Sequence, residues 1–189
     1  MTFSFALILA ELDTFTLDQA DALFEAGCDD CSPSVSAGVV VLEFDREADS
    51  PRQAIDSAIR QVRELGWRIE RIEPDDLVTQ SEIAKRLNRS RESVRQLVHG
   101  ERQDGSFPRP VAAVTSTSPL WSWLEVTRWC VARNICSPSA LEMAKTIKLV
   151  NGLMGSGRRG RLSARTQSAL AEQVQEKAAK YGSSRRKRS

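Results

Sequence analysis

Helix-start signatures recur along this chain at intervals that leave room only for short helices. A Ser or Thr at the helix entrance accepts a backbone N–H that the first turn leaves orphaned, and a Glu or Gln three residues later returns the bond. Thr16 with Gln19, Ser50-Pro51 with Gln53, and Thr79 with Glu82 fit that pattern, while Ser90, Ser118-Pro119 and Ser137-Pro138 mark further starts. Glycine stops follow at Gly27, Gly66 and Gly100, where a left-handed residue ends the helix at no steric cost. The stretches between these signals must carry the rest of the fold.

In the first 76 residues those stretches read as strands. Residues 3–9 are an apolar run, Gly38 precedes the β-branched run Val39-Val40-Val41-Leu42-Glu43-Phe44, residues 32–36 offer it a short antiparallel partner, and residues 67–72 alternate. Leu17, Ala20, Leu23 and Phe24 share a face of the first helix; Ala54, Ile55, Ala58, Ile59, Val62 and Leu65 share a face of the second. The order β-α-β-β-α-β is the ferredoxin-like plan. The expected class is therefore α+β: a ferredoxin-like βαββαβ module over residues 1–76, a mainly α winged helix-turn-helix over 77–135, and C-terminal helices with a basic tail over 136–189.

Charge divides the chain at the same place. Residues 1–76 hold 6 Arg, no Lys and 17 Asp or Glu, a net −11, whereas residues 77–189 hold 21 Lys or Arg and 8 acids, a net +13. Phosphates attract the second part and repel the first. Phe44 is the sole aromatic candidate on a central strand of the acidic part and sits among acids, which argues against RNA stacking there. Asp29, Asp30, Glu43 and Asp45 carry the chemistry of magnesium ligands, so a metal-dependent DNA-processing enzyme is the third-ranked reading. Cys28 and Cys31 form a CxxC, yet Asp29 and Asp30 between them oppose thiolate formation. Cys130, Cys136 and the single histidine, His99, do not complete a zinc pattern. No cofactor, metal or catalytic residue is expected. The apolar run near the start is shorter than the ~20 residues of a membrane helix and lacks a basic flank, so a cytoplasmic protein without membrane contact is expected.

The basic part opens with two short helices around the turn Asn88-Arg89. Ile83, Ala84 and Leu87 supply the inner face of one, and Val94, Leu97 and Val98 that of the other. At about 100° per residue, Glu92, Gln96 and His99 then face outward, flanked by Ser93 and Arg95, with Arg91 in the first turn. Arginine grips guanine through two hydrogen bonds, glutamine matches adenine, and a carboxylate accepts from cytosine. Lys85, Arg86 and Arg89 stand nearby for phosphates.

The run LVTQSEIAKRLNRSRESVRQLV, followed by GSFPRPV and PLWSWLEVTRWC, resembles the winged helix-turn-helix of AlpA-type phage regulators, excisionases and MerR-type repressors over residues 77–131. The resemblance implies that Arg91, Ser93, Arg95 and Gln96 enter the major groove and that Arg102 or Arg109, in the wing, contacts backbone or minor groove. The wing segment is longer and richer in Ser and Thr than the pattern, and the MerR-type C-terminal effector module is absent.

Beyond the wing, Leu120, Trp123, Leu124, Cys130 and Val131 line one face of a Trp-rich helix, with Trp121 and Trp129 on others. Met143, Ile147, Val150 and Met154 form a stripe suited to dimerisation. The segment Gly155-Ser156-Gly157-Arg158-Arg159-Gly160-Arg161 reads as a basic linker, residues 162–181 as a further helix, and residues 183–189 as a basic tail. The leading expectation is a homodimeric transcriptional regulator, a repressor that binds double-stranded DNA. The alternative is an antitoxin-like or phage-encoded interaction protein whose acidic module holds a protein partner.

Overall fold

The computed structural model describes residues 1–100 and 106–156. Arg102, the further helix over 162–181 and the basic tail lie outside the described residues, as does most of the basic linker. Met1–Gly152 clusters as one compact unit. The described residues form a mixed α+β structure with six helices and a four-stranded antiparallel sheet.

The sheet is built from β1 (Thr2–Leu9), β2 (Cys31–Ser36), β3 (Val39–Glu47) and β4 (Ile69–Glu73), in the order β2-β3-β1-β4. Its register sets Phe5 opposite Phe44 and Leu7 opposite Leu42. Because side chains alternate across a strand, Phe3, Phe5, Leu7, Leu42 and Phe44 are buried together on one face. Helix α1 (Leu17–Glu25) follows β1 and helix α2 (Pro51–Glu64) follows β3. Helix α2 packs on β1 and β4 and buries Ala54, Ile55, Ala58, Ile59 and Val62, each isoleucine contributing about 2 kcal/mol of transfer free energy. Helix α1 is held less deeply than its sequence suggests. Leu23 is its buried residue, while Leu17 and Phe24 stay 84% and 69% exposed.

Thr16 and Gln19 exchange both bonds of a capping box. The other two boxes form only in part. Ser50 and Thr79 cap Gln53 and Glu82, but Gln53 reaches Asp49 and Glu82 turns to Arg86. Gly27, at φ +81°, ends α1, and a Cβ there would meet the Gln61 amide at 3.0 Å.

The second part has its own core. Strand β5 (Leu77–Val78) leads into α3 (Gln80–Arg86) and α4 (Arg91–Val98), with Asn88 between them at φ +49°. After residues 101–105, the backbone of Val111 and Ala112 pairs with Leu120, and strand β6 (Trp121–Ser122) pairs with β5. Helix α5 (Trp123–Val131) and helix α6 (Pro138–Ser156) complete the described chain. Val78, Ile83, Ala84, Val94, Leu97, Phe107, Trp121, Val126, Trp129 and Cys130 pack as one buried cluster.

One expectation is corrected here. Helix α5 starts at Trp123, capped by Ser122 rather than Ser118, because Trp121 and Ser122 are taken by the pairing with Leu77 and Val78. In α6, Ile147 of the apolar stripe is 3% exposed with Ala144 buried beside it, Met143, Val150 and Met154 are half-buried, and the Asn151 amide exchanges two bonds with the backbone of Ile72 on β4, at 2.7 and 2.8 Å.

The junction at residue 76 is bonded on several sides. The Asp76 carboxylate accepts from Ser122 Oγ, from Leu124 N at 2.8 Å and from Lys148 Nζ at 2.9 Å, and its carbonyl accepts from Trp123 N. No described helix is long and apolar enough to cross a membrane.

Candidate nucleic-acid interface

Helix α4 forms where Ser90 takes the Ser93 N–H, and it stops at Gly100, whose φ of +71° only glycine adopts freely. Val94 and Leu97 are buried, which fixes the rotation of the helix. Arg91, Glu92 and His99 are exposed, while Ser93, Arg95 and Gln96 are half-buried. Lys85 and Arg89 are exposed on and just after α3, and Arg109 is exposed beside buried Phe107.

Exposed cations without an ion pair among the described residues occur in both parts, Arg60 and Arg63 on α2 in the first. Arg46, Arg52, Arg68 and Arg71 each hold a carboxylate within the fold. Among the described residues, Lys85, Arg89, Arg91 and Arg109 make no ion pair. Arg95 does: its Nε and Nη2 bind the two oxygens of Glu92 at 2.9 and 2.8 Å. Gln96 Nε2 donates to the same carboxylate at 3.3 Å. The Arg95 hydrogen bond holds the Glu92 carboxyl below the usual carboxylate range. Gln96 Oε1 is buried and lacks a partner among the described residues.

Arg86 is not where its sequence position suggested. Its side chain is 14% exposed, its guanidinium lies 5.1 Å from the Trp123 ring, and it donates to the Asp75 carbonyl. Burial lowers its pKa, with Glu82 opposing. It ties α3 to α5 and to the end of the sheet, which gives it a packing role.

A concavity of about 260 Å³ runs between the start of α3, the first turns of α4 and the loop before β6. Thr79, Gln80 and Ser81 line one side, Arg91, Glu92 and Arg95 another, and Thr117 and Ser118 a third. The sequence had not singled out Gln80, Ser81 or Thr117. They lie far from α4 in the chain, and only the pairing of β5 with β6 brings the loop alongside. Hydroxyl and amide groups beside an unpaired arginine suit an oxyanion.

The carboxylates read as magnesium ligands are divided by the pleat. Asp30 bonds Arg46 on the buried face of the sheet, whereas Glu43 and Asp45 lie on the opposite, exposed face. No cluster that could hold a metal ion occurs among the described residues. That open face, with Ser4, Ala6, Glu43, Asp45 and Glu73, borders a concavity of about 700 Å³. Phe44 stacks on Phe5 at 5.3 Å beneath the helices and presents no ring to solvent.

The cysteines are free thiols. Burial raises the pKa of Cys28 and pushes Cys31 and Cys130 up to about 12, the reverse of what a reactive thiolate needs. No family model matches the chain, nor does any curated protein or solved structure.

Proposed function

We propose that this protein is a sequence-reading DNA-binding regulator that presents α4 to the major groove. The observation that carries this reading is the set of exposed cations Lys85, Arg89, Arg91 and Arg109, without an ion pair among the described residues, around a helix whose outer face holds Glu92, Arg95, Gln96 and His99. Phosphate contacts orient a protein on the duplex and base-edge contacts select the sequence. The two sets of groups are present side by side. Helices α3 and α4 with their tight turn, the hairpin around Leu120 and the β5–β6 pair support reading the second part as a winged helix-turn-helix. The order β2-β3-β1-β4, with every neighbour antiparallel, supports the ferredoxin-like reading of the first.

Full-length protein titrated against duplexes selected from a randomised pool tests the reading. Lys85→Ala is expected to weaken all duplexes alike and to lower the salt slope by about one, whereas Arg95→Ala should cost ~1–3 kcal/mol on the selected site and relax its base preference. Equal binding to selected and scrambled duplexes by the wild type would defeat sequence reading. The acidic open face of the sheet favours a second reading for the first module, as the seat of a basic protein partner. A partner that co-purifies at fixed stoichiometry and is lost on Glu43→Lys supports it.

A further inference from the structure

Three donors converge on one exposed carboxylate at the centre of the α4 surface. Arg95 offers Nε and Nη2 to Glu92, and Gln96 offers Nε2. Both side chains have a chemistry that suits base edges. A carboxylate in a first helical turn is favourable to any helix through the dipole, and Ser90 already caps this one. Neither circumstance requires the two residues best able to read bases to be tied to the same group.

We infer that Glu92 is the selectivity-determining residue of this surface, holding Arg95 and Gln96 in register and setting a negative charge against any phosphate that approaches them. The inference rests on the DNA-binding reading above and deepens it. An exposed ion pair is weak, so Arg95 exchanges Glu92 for a DNA acceptor readily. On a non-cognate duplex that acceptor is a phosphate, and Glu92 is left facing the polyanion with nothing in return. On the cognate duplex a base-edge donor replaces the bonds that Glu92 gives up. The carboxylate therefore penalises the wrong duplex more than the right one, which is how a repulsive group creates specificity.

Glu92→Gln keeps the shape and removes the charge; Glu92→Asp keeps the charge and shortens the reach to Arg95. The experiment titrates full-length wild type and both variants against one duplex selected from a randomised pool and one scrambled duplex of equal length. Glu92→Gln is expected to bind the scrambled duplex more tightly, with a salt slope steeper by about one, so that the ratio of selected to scrambled affinity falls about tenfold. Glu92→Asp is expected to lose affinity for the selected duplex without gaining any for the scrambled one. A ratio within twofold of wild type in Glu92→Gln overturns the inference while DNA binding stands. Undiminished binding of the selected duplex by Glu92→Asp overturns the part in which Glu92 positions Arg95. A wild type that binds neither duplex overturns the DNA-binding reading and this inference with it.

Discussion

Arg46 and Arg95 make the same bond in opposite surroundings. Each presents Nε and Nη2 to both oxygens of a carboxylate, Asp30 in the first part and Glu92 in the second. Arg46 and Asp30 side chains are 8% and 25% exposed, whereas Arg95 and Glu92 are 42% and 60% exposed. Around Arg46 the remaining donors are also satisfied, by Ser57 at 3.0 Å and Gln61 at 2.6 Å, and the ring of Phe44 lies 5.0 Å below. Around Arg95 the setting is more open: Gln96 Nε2 shares the Glu92 carboxylate at 3.3 Å, and both partners of the pair are more than a third exposed. The buried fork joins the start of β2, strand β3 and helix α2, so its geometry belongs to the fold. The exposed fork joins two turns of one helix and leaves that geometry open to exchange with a ligand.

The largest effect should come from breaking the buried fork on one side. Arg46→Ala leaves Asp30, Ser57 and Gln61 without their donor. A broken buried pair costs 3–5 kcal/mol, and because Asp30 retains some hydration the lower figure, about 3 kcal/mol, is expected. Replacing both partners by apolar residues, Arg46→Met with Asp30→Leu, should recover most of the loss, since no uncompensated charge is left. Urea unfolding of both variants measures this. A loss under 1 kcal/mol for Arg46→Ala would show that burial does not separate the two forks.

Asp76 comes next, where the two parts are bonded to each other. Asp76→Ala strips α5 of a second cap and removes the acceptor of the Ser122 hydroxyl, in a residue 3% exposed. About 2 kcal/mol is expected, roughly 1 from the cap and the rest from the unpaired polar groups. The aspartates of the sheet's open face provide the control: Asp45→Ala loses one bond to Ser4 and should fall within ~0.5 kcal/mol of wild type, as surface changes do.

How much of this was legible in the sequence follows from the range of each interaction. Local signals were: Thr16, Ser50, Thr79 and Ser90 cap the helices they were expected to cap, because a cap is settled within four residues. Strand β6 was not, since two residues pairing with Leu77 and Val78 more than forty positions away have no period of their own. Arg46 reads as a polar position in an alternating strand, and nothing adjacent reveals that Asp30 and Gln61 enclose it. The packing of Arg86 on Trp123 and the burial of Ile147 were hidden for the same reason. Helical position shows which residues share a face, but not whether a neighbouring element already covers it. In the candidate interface, Glu92, Arg95 and Gln96 were legible as a set because they share α4. Their mutual bonds and the approach of Thr117 and Ser118 were not.

Arg86 sharpens the contrast between cations that serve the fold and those that serve the surface. Arg86→Ala is expected to cost about 1 kcal/mol through the lost contact with Trp123 and the unpaired Asp75 carbonyl. Lys85→Ala, one residue earlier and exposed, should leave stability unchanged and weaken DNA binding. If Arg86→Ala instead spares stability and lowers the salt slope as Lys85→Ala does, Arg86 belongs with the surface cations.

The smallest effect on stability should come from the exposed fork. Glu92 lies wholly at the surface, where an ion pair competes with water and salt and contributes little. Its folded carboxyl titrates below the unfolded one because Arg95 bonds the ionised form. Whatever the pair adds is therefore present above the unfolded carboxylate pKa of about 4.3 and disappears as pH falls through the lower folded value. At neutral pH, Glu92→Gln should unfold at nearly the wild-type urea midpoint, and any difference between the two should vanish further into the acid range. The same variant is the one expected to lose discrimination between duplexes. Stability held while selectivity falls would place the two forks at opposite ends of one scale, with the buried one governing the fold and the exposed one governing the choice of ligand. A midpoint shift in Glu92→Gln as large as that of Arg46→Ala would instead mean that the exposed fork is part of what holds α4 together.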